Sequence, residues 1–464
     1  MGPTRMNTRA LTPLAFAWLL AACAPATHLS TTARSEVEAT AGGAGDHEAL
    51  KAHLDALERA DRFHGSVAVT RPGKRPWRRA LGRLGPDTDR RAEPDTRYRI
   101  GSITKTFTAA MVMQLVDEGA LALDDRIARW FPGLPNAEAI TIEHLLRHRS
   151  GLFDLTDAAD YEAWHERPLD RATALRRLAD GEPRFEPGEH SVYTNSNYVL
   201  LGYVVEDLDG RAYAESLQAR VLDRLQTART GVDDPRTDRA ASMRWGPDGW
   251  AATTVTHPSV PGGAGAMVST PAELCRFLDA LFDGELVSST SLGVMTTASD
   301  DDLGAGLVRF RYGERVAWGH TGGIDGFAAS VMRFADDGTC LAITTNGSRI
   351  DLGQLRRDLL DLLHGEQVPL PSFETVTLSP EALARYEGVY RSETLSFTIT
   401  LFTEGGVLFA RATEQGAFPL ETRTATRLVF DPADVELRFD PANGPAQRFV
   451  LHQGGAAHVF VRAE

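Results

Sequence analysis

Ser102 and Lys105 stand three residues apart in the stretch Gly-Ser-Ile-Thr-Lys-Thr-Phe-Thr (101–108). Apolar residues then recur at Phe107, Met111 and Leu115, which is helical spacing, and Gly119 supplies a left-handed stop. At that spacing the two side chains share one face of the first turn, and a serine at a helix start lies beside free backbone N–H groups. A hydroxyl is a weak nucleophile until a neighbouring base takes its proton. Lysine occurs only at Lys51, Lys74 and Lys105, while arginine carries the remaining positive charge. Guanidinium stays protonated, whereas a desolvated ammonium can lose its proton near neutrality. A Ser-x-x-Lys pair recurs by chance, so its weight rests on its partners.

Two further clusters supply them. Tyr193-Thr194-Asn195 follows a Pro187-Gly188 break and precedes an apolar run, and His320-Thr321-Gly322-Gly323 ends a candidate strand. A cation near a phenol favours phenolate and lowers its pKa from about 10, so Lys105 and Tyr193 are a coupled pair of candidate bases. Tyr193 is assigned the proton traffic to and from the leaving group. Lys105 is assigned the tuning charge or the initial base, and the division between them stays open. Asn195 is expected to hydrogen-bond Lys105 or a substrate amide. The backbone N–H groups of Ser102 and Gly323 are the candidate oxyanion hole, with side-chain-free Gly323 letting an acyl carbonyl approach the strand edge.

The elements that must position these groups follow from periodicity. A helix is expected over about 47–61, strands at 65–69 and about 76–82, and then the helix of Ser102. From Leu121 to about Leu225 the chain reads as mainly helical, with Thr141 as N-cap of a helix over Ile142 to Arg147 and an apolar helix over Asn197 to Asp209. Strand signals return at 316–319, 328–334 and 340–345, and a helix over 355–363 closes the unit. Strands from both ends must therefore pair in one sheet against which the helices lie. Residues 365–379 read as a linker. Beyond it, Phe397, Ile399 and Leu401, then Val407 and Phe409, then Val435, Leu437 and Phe439 alternate, with turns at Gly405-Gly406 and Asn443-Gly444. A small antiparallel barrel over 380–464 is the expected solution.

Residues 1–23 read as a targeting segment: Arg5 and Arg9 precede a short apolar run ending Leu20-Ala21-Ala22-Cys23, which resembles a bacterial lipobox. Residues 24–46 are then a flexible tether, and Cys23 a lipid anchor that holds an exported protein at a bacterial membrane, facing the periplasm or cell exterior. Composition is ordinary for a globular protein of 464 residues, and a net charge of -14 argues against nucleic acid as a partner. Cys275 and Cys340 read as buried thiols. His144 and His148, with Glu143 beside them, have a spacing that could bind metal, yet the His-Glu-x-x-His order is absent and no metal or cofactor is expected.

Ser-x-x-Lys, Tyr-x-Asn and His-Thr-Gly, in this order, together with His-Leu-Leu-Arg-His-Arg-Ser-Gly-Leu (144–152), carry a resemblance. Residues 47–364 resemble the serine β-lactamase-like hydrolases, in the branch of class C β-lactamases, D-alanyl-D-alanine carboxypeptidases and esterases. Residues 380–464 look like the barrel domain, lipocalin-like, that some members append. The resemblance implies an α/β fold with a mixed, largely antiparallel sheet, flanking helices and an inserted helical subdomain. It implies a metal-independent serine hydrolase forming an acyl-enzyme at Ser102, with Asn195, His320, Thr321, Gly322 and Gly323 binding a small-molecule or peptide substrate. His320 departs from the lysine of Lys-Thr-Gly. A histidine, with a reference pKa of about 6.5, is mostly neutral at pH 7, which weakens the case for substrates bearing a carboxylate. The expectation is an esterase or peptidase, D-residue peptidases included. A true β-lactamase or carboxypeptidase and a non-catalytic wall-binding protein are the alternatives.

Overall fold

Alternating and fully apolar strand segments near both ends of the first 372 residues force a shared sheet. The computed structural model describes residues 44–463, apart from 235–237, 247–248, 300 and 441–443. The expected signal segment, Cys23 and nearly all of the expected tether lie outside the described residues. The described chain divides into two compact units, one ending at Ser372 and one beginning at Phe373.

In the first unit, helix α1 (Ala44–Arg59) leads into strands β1 (Phe63–Thr70) and β2 (Trp77–Leu81), then helix α2 (Thr104–Asp117) and helix α3 (Asn195–Asp209). Helix α4 (Pro271–Phe282) precedes strands β3 (Val308–Tyr312), β4 (Arg315–Ile324), β5 (Phe327–Phe334) and β6 (Cys340–Ser348), and helix α5 (Leu352–Leu363) ends the unit. The six strands form one sheet in the order β2-β1-β6-β5-β4-β3, antiparallel at every pairing. β1 and β6 are neighbouring interior strands, buried along almost their whole length, because α4 covers them and α1 packs with α5. β3, absent from the sequence expectation, is an edge strand whose residues are all half-buried or exposed, so its apolar signal is diluted.

Helix α2 is buried on every side from Thr104 to Leu115, its polar side chains included, which makes it a core helix and not a surface one. It stops at Gly119, whose φ of 72° is left-handed. The stretch expected to be mainly helical is more irregular. Short helices at Ile142–Leu146 and Arg171–Asp180 alternate with loops before α3, and Thr141 caps the first of them as expected. α3 starts at Asn195, two residues earlier than its periodicity suggests, and this sets the site residue Asn195 in the first turn.

The second unit is a nine-stranded antiparallel sheet. Its two edge strands, Phe418–Pro419 and Glu421–Thr424, are separated by Leu420 alone, so the sheet nearly closes into a barrel. Tyr390, Leu401, Leu437, Phe449 and Phe460 fill its interior. Ile399 and Leu401 face inward, but Val407 and Phe409 do not. The Gly405-Gly406 turn pairs Glu404 with Val407, which sets Leu401 opposite Ala410 and turns Leu408 and Ala410 inward. Phe409 instead stacks on Phe402 on the other face. Asn443 lies outside the described residues.

Candidate active site

Ser102 is the middle residue of a single 3₁₀ turn, Gly101–Ile103, that feeds α2. Gly101 has a φ of 49°, and a Cβ there would fall 2.8 Å from both N and O of Gly323. Only glycine tolerates both constraints. The backbones carrying the Ser102 and Gly323 N–H groups, the candidate oxyanion hole, are thus in direct contact. Glycine is demanded more strictly at 322 than at 323. A Cβ on Gly322 would sit 1.9 Å from Ile100 O and 3.0 Å from Ser102 N, whereas one on Gly323 would meet nothing nearer than Phe327 O at 4.0 Å.

Lys105 is 0% exposed. Its Nζ donates to Ser102 Oγ at 3.0 Å, to Asn195 Oδ1 at 2.8 Å and to Ala264 O at 2.9 Å. Burial pulls its pKa from 10.5 down to about 7, against the opposing charge of Asp154. Two of the three neighbours are carbonyl oxygens, which only accept, while the serine hydroxyl can also donate. When the ammonium loses a proton, its two remaining N–H groups serve Asn195 and Ala264, and its lone pair is left facing Ser102. Of these three neighbours, Ser102 is thereby the one able to donate a proton to a neutral Lys105.

Tyr193 presents its ring face to the Lys105 nitrogen, 4.9 Å from the centroid, and stacks on His148 with centroids 4.3 Å apart. The backbone N–H of Thr194 donates to His148 Nδ1, fixing the ring. Burial, reinforced by Lys105 and His320, keeps His148 neutral. The possible pairing of His148 with His144 on a metal is not realised. The short helix ends at Leu146, His148 takes a φ of 56°, and His144 turns back to accept from the Thr141 N–H. Among the described residues no group of His, Cys, Asp and Glu could hold a metal ion.

His320 is buried on β4, its ring centroid 6.5 Å from that of Tyr193. Its Nδ1–H donates to the Thr321 carbonyl, which leaves Nε2 as an acceptor. Burial, then the nearby Lys105 charge, pulls its pKa to about 4. Thr321 enters through that carbonyl.

Three contributors escaped sequence reasoning. Ala264 acts through its backbone, which carries no residue-type signal. Asp154 accepts from Asn195 N at 2.7 Å and from its side-chain Nδ2 at 3.3 Å. Arg99, fully buried, lies 3.3 Å from Asp233 Oδ2 and pairs with Asp325, whose other oxygen accepts from Thr256 N and Oγ1. That pair ties the turn after Gly323 to the strand just before Ser102. A charge at 99, three residues before the serine, is the one sequence signal that could have found it.

Residues 50–365 match the family model described as Beta-lactamase. Penicillin-binding protein 4* of Bacillus subtilis is 23% identical over 462 residues, spanning 89% of this chain and 98% of that protein. Teichoic acid D-alanine hydrolase of Staphylococcus aureus is 23% identical over 238 residues, 51% of this chain and 58% of its own length. Among solved structures, the D-amino acid amidase of Ochrobactrum anthropi SV3 superimposes with a TM-score of 0.60 at 26% identity, covering 68% of this chain and 97% of that one.

Proposed function

The chain belongs to the beta-lactamase family and is a hydrolytic enzyme, and from that premise we propose that it forms an acyl-enzyme at Ser102 without a metal. The observation that carries the reading is the placement of Lys105, whose neutral form has its lone pair toward the serine and its two N–H groups engaged elsewhere. In the first half-reaction Lys105 takes the Ser102 proton as Oγ bonds to the substrate carbonyl carbon. The carbonyl electron pair moves onto oxygen, held by the N–H groups of Ser102 and Gly323. As the tetrahedral intermediate collapses, Tyr193 gives its proton to the departing amine or alkoxide and recovers one from Lys105. Water then attacks the ester by the reverse route and frees Ser102.

The substrate class is proposed as amides or esters of D-residues lacking a free carboxylate at the leaving end. Relatives bearing the names D-amino acid amidase and teichoic acid D-alanine hydrolase support the D-residue choice. The neutral state of His320 supports the lack of a carboxylate, since no permanent cation stands where the β-lactam-type motif has lysine. Lipidation at Cys23 would hold the enzyme at a membrane surface.

The test is a panel of D- and L-aminoacyl p-nitroanilides, p-nitrophenyl esters and nitrocefin, run beside Ser102→Ala. The proposal expects D-aminoacyl or ester turnover that exceeds nitrocefin turnover and disappears in the variant. Nitrocefin as the best substrate would make the protein a β-lactamase, and turnover that survives in Ser102→Ala would overturn the acyl-enzyme.

A further inference from the structure

We propose that Asp154 is a positioning residue that locks the Asn195 amide, and through it decides where the Lys105 lone pair points. The inference rests on the reading of Lys105 as base given above. Asp154 lies in the loop after Leu152 and is only 5% exposed. Its Oδ1 accepts from Thr156 N at 2.9 Å and from Thr156 Oγ1 at 2.8 Å. Its Oδ2 accepts from the Asn195 backbone N–H, at the N-terminus of α3, and from Asn195 Nδ2. Thr156 Oγ1 stands 3.3 Å from the same Nδ2 as a second acceptor.

A side-chain amide has one accepting and one donating end, and the two have nearly the same shape. A carboxylate only accepts. With Asp154 ionised, the donating end of Asn195 must face it, so the carbonyl end must face Lys105. Were the amide reversed, its NH₂ would donate to the lone pair of neutral Lys105. That nitrogen would then have no acceptor capacity left for the Ser102 proton. The carboxylate therefore does two things at a distance from the reacting atoms. It excludes the reversed amide, and it places a negative charge within reach of the buried ammonium.

The other titratable or aromatic groups around Lys105 are Tyr193, the Tyr198 ring at 5.8 Å, His148 and His320, and Asp154 is the acid among them. Removing its charge disfavours the ammonium, so the Lys105 pKa must fall and any kinetic limb belonging to Lys105 must move to lower pH.

The experiment measures the rate of Ser102 phosphonylation by a fluorophosphonate against pH, in the full chain, for wild type, Asp154→Asn, Asn195→Ala and the double variant. Asparagine at 154 keeps the shape but can present its own NH₂ to Asn195, so the lock is lost. The expected result is a rate lowered about tenfold or more, with the Lys105 limb displaced to lower pH. In the Asn195→Ala background the same change should alter the rate on the plateau above the Lys105 limb by less than about twofold, because the amide it acts through is gone. A wild-type rate and limb in folded Asp154→Asn, or losses that multiply independently in the double variant, would overturn the proposal. Absence of labelling in wild type itself would instead strike the acyl-enzyme reading. Should Asp154→Asn lack a cooperative thermal transition, Asp154→Ser removes the carboxylate with a smaller neutral side chain. A lowered rate that is abolished as an effect by Asn195→Ala supports the lock, and an unchanged rate overturns it.

Discussion

Replacing Lys105 by methionine tests its depressed pKa without reference to any substrate. Methionine matches the length of lysine and carries no charge, so the variant loses three hydrogen bonds at a pH-independent cost. The pH-dependent part comes from the proton. In the folded chain Lys105 titrates at about 7, against 10.5 when exposed. Between those values the unfolded chain binds more protons than the folded one, so wild-type stability rises with pH across this window. It is complete above 10.5 and falls away as pH drops through 7. At about 1.4 kcal/mol per pH unit the full interval amounts to about 5 kcal/mol, and between pH 6 and 9 wild type should gain about 3 kcal/mol relative to Lys105→Met. His148 and His320, which also feel the Lys105 charge, are held neutral by burial across that range. Urea unfolding at fixed pH, followed by tryptophan fluorescence, reads the right unit, since no tryptophan occurs beyond Trp318. A difference that stays constant within about 0.5 kcal/mol from pH 6 to 9 would mean an ordinary lysine pKa, and would remove the basis for Lys105 as a neutral-pH base.

Other perturbations have equally definite signs. Lys105→Arg keeps the charge but cannot release a proton, so serine acylation should fall to less than about a tenth of the wild-type rate, measured by fluorophosphonate labelling. Gly322→Ala must push the Ile100 carbonyl and the Ser102 N–H away from β4 and should lower kcat about 10²–10³-fold, the range for loss of an oxyanion-hole donor. Gly323→Ala, whose Cβ finds open space, should keep the wild-type thermal midpoint, and a large drop there would reverse the assignment. The His320 ring resonances should stay flat in an NMR titration from pH 5 to 8, and an inflection near the ordinary value of about 6.5 would contradict its burial.

Much of the site was legible because its chemistry needs particular residue types at short spacings. Ser102 and Lys105 meet across one turn of chain, and Asn195 reaches Lys105 from the head of an apolar helix that its own periodicity announces. Strands from both ends of the first unit had to pair, and β1 lies against β6 as a result. What escaped is tertiary. Asp154 looks like any loop acid until α3 brings the Asn195 amide to it. Ala264 contributes a backbone oxygen, which any residue type supplies. The pairing of Arg99 with Asp325 spans 226 residues, beyond any local pattern. In the second unit the alternation of Val407 and Phe409 does not itself say which face is inward; a two-residue glycine turn sets the phase of the returning strand and turns Leu408 and Ala410 inward instead.

The most direct measurement is the mass of the intact protein quenched in acid during turnover of a slow D-aminoacyl ester, followed by peptide mapping. A chain heavier by one acyl group, with the increment on the peptide containing Ser102 and absent in Ser102→Ala, is the result predicted here. Turnover with no such increment, or an increment carried by another residue, would contradict it.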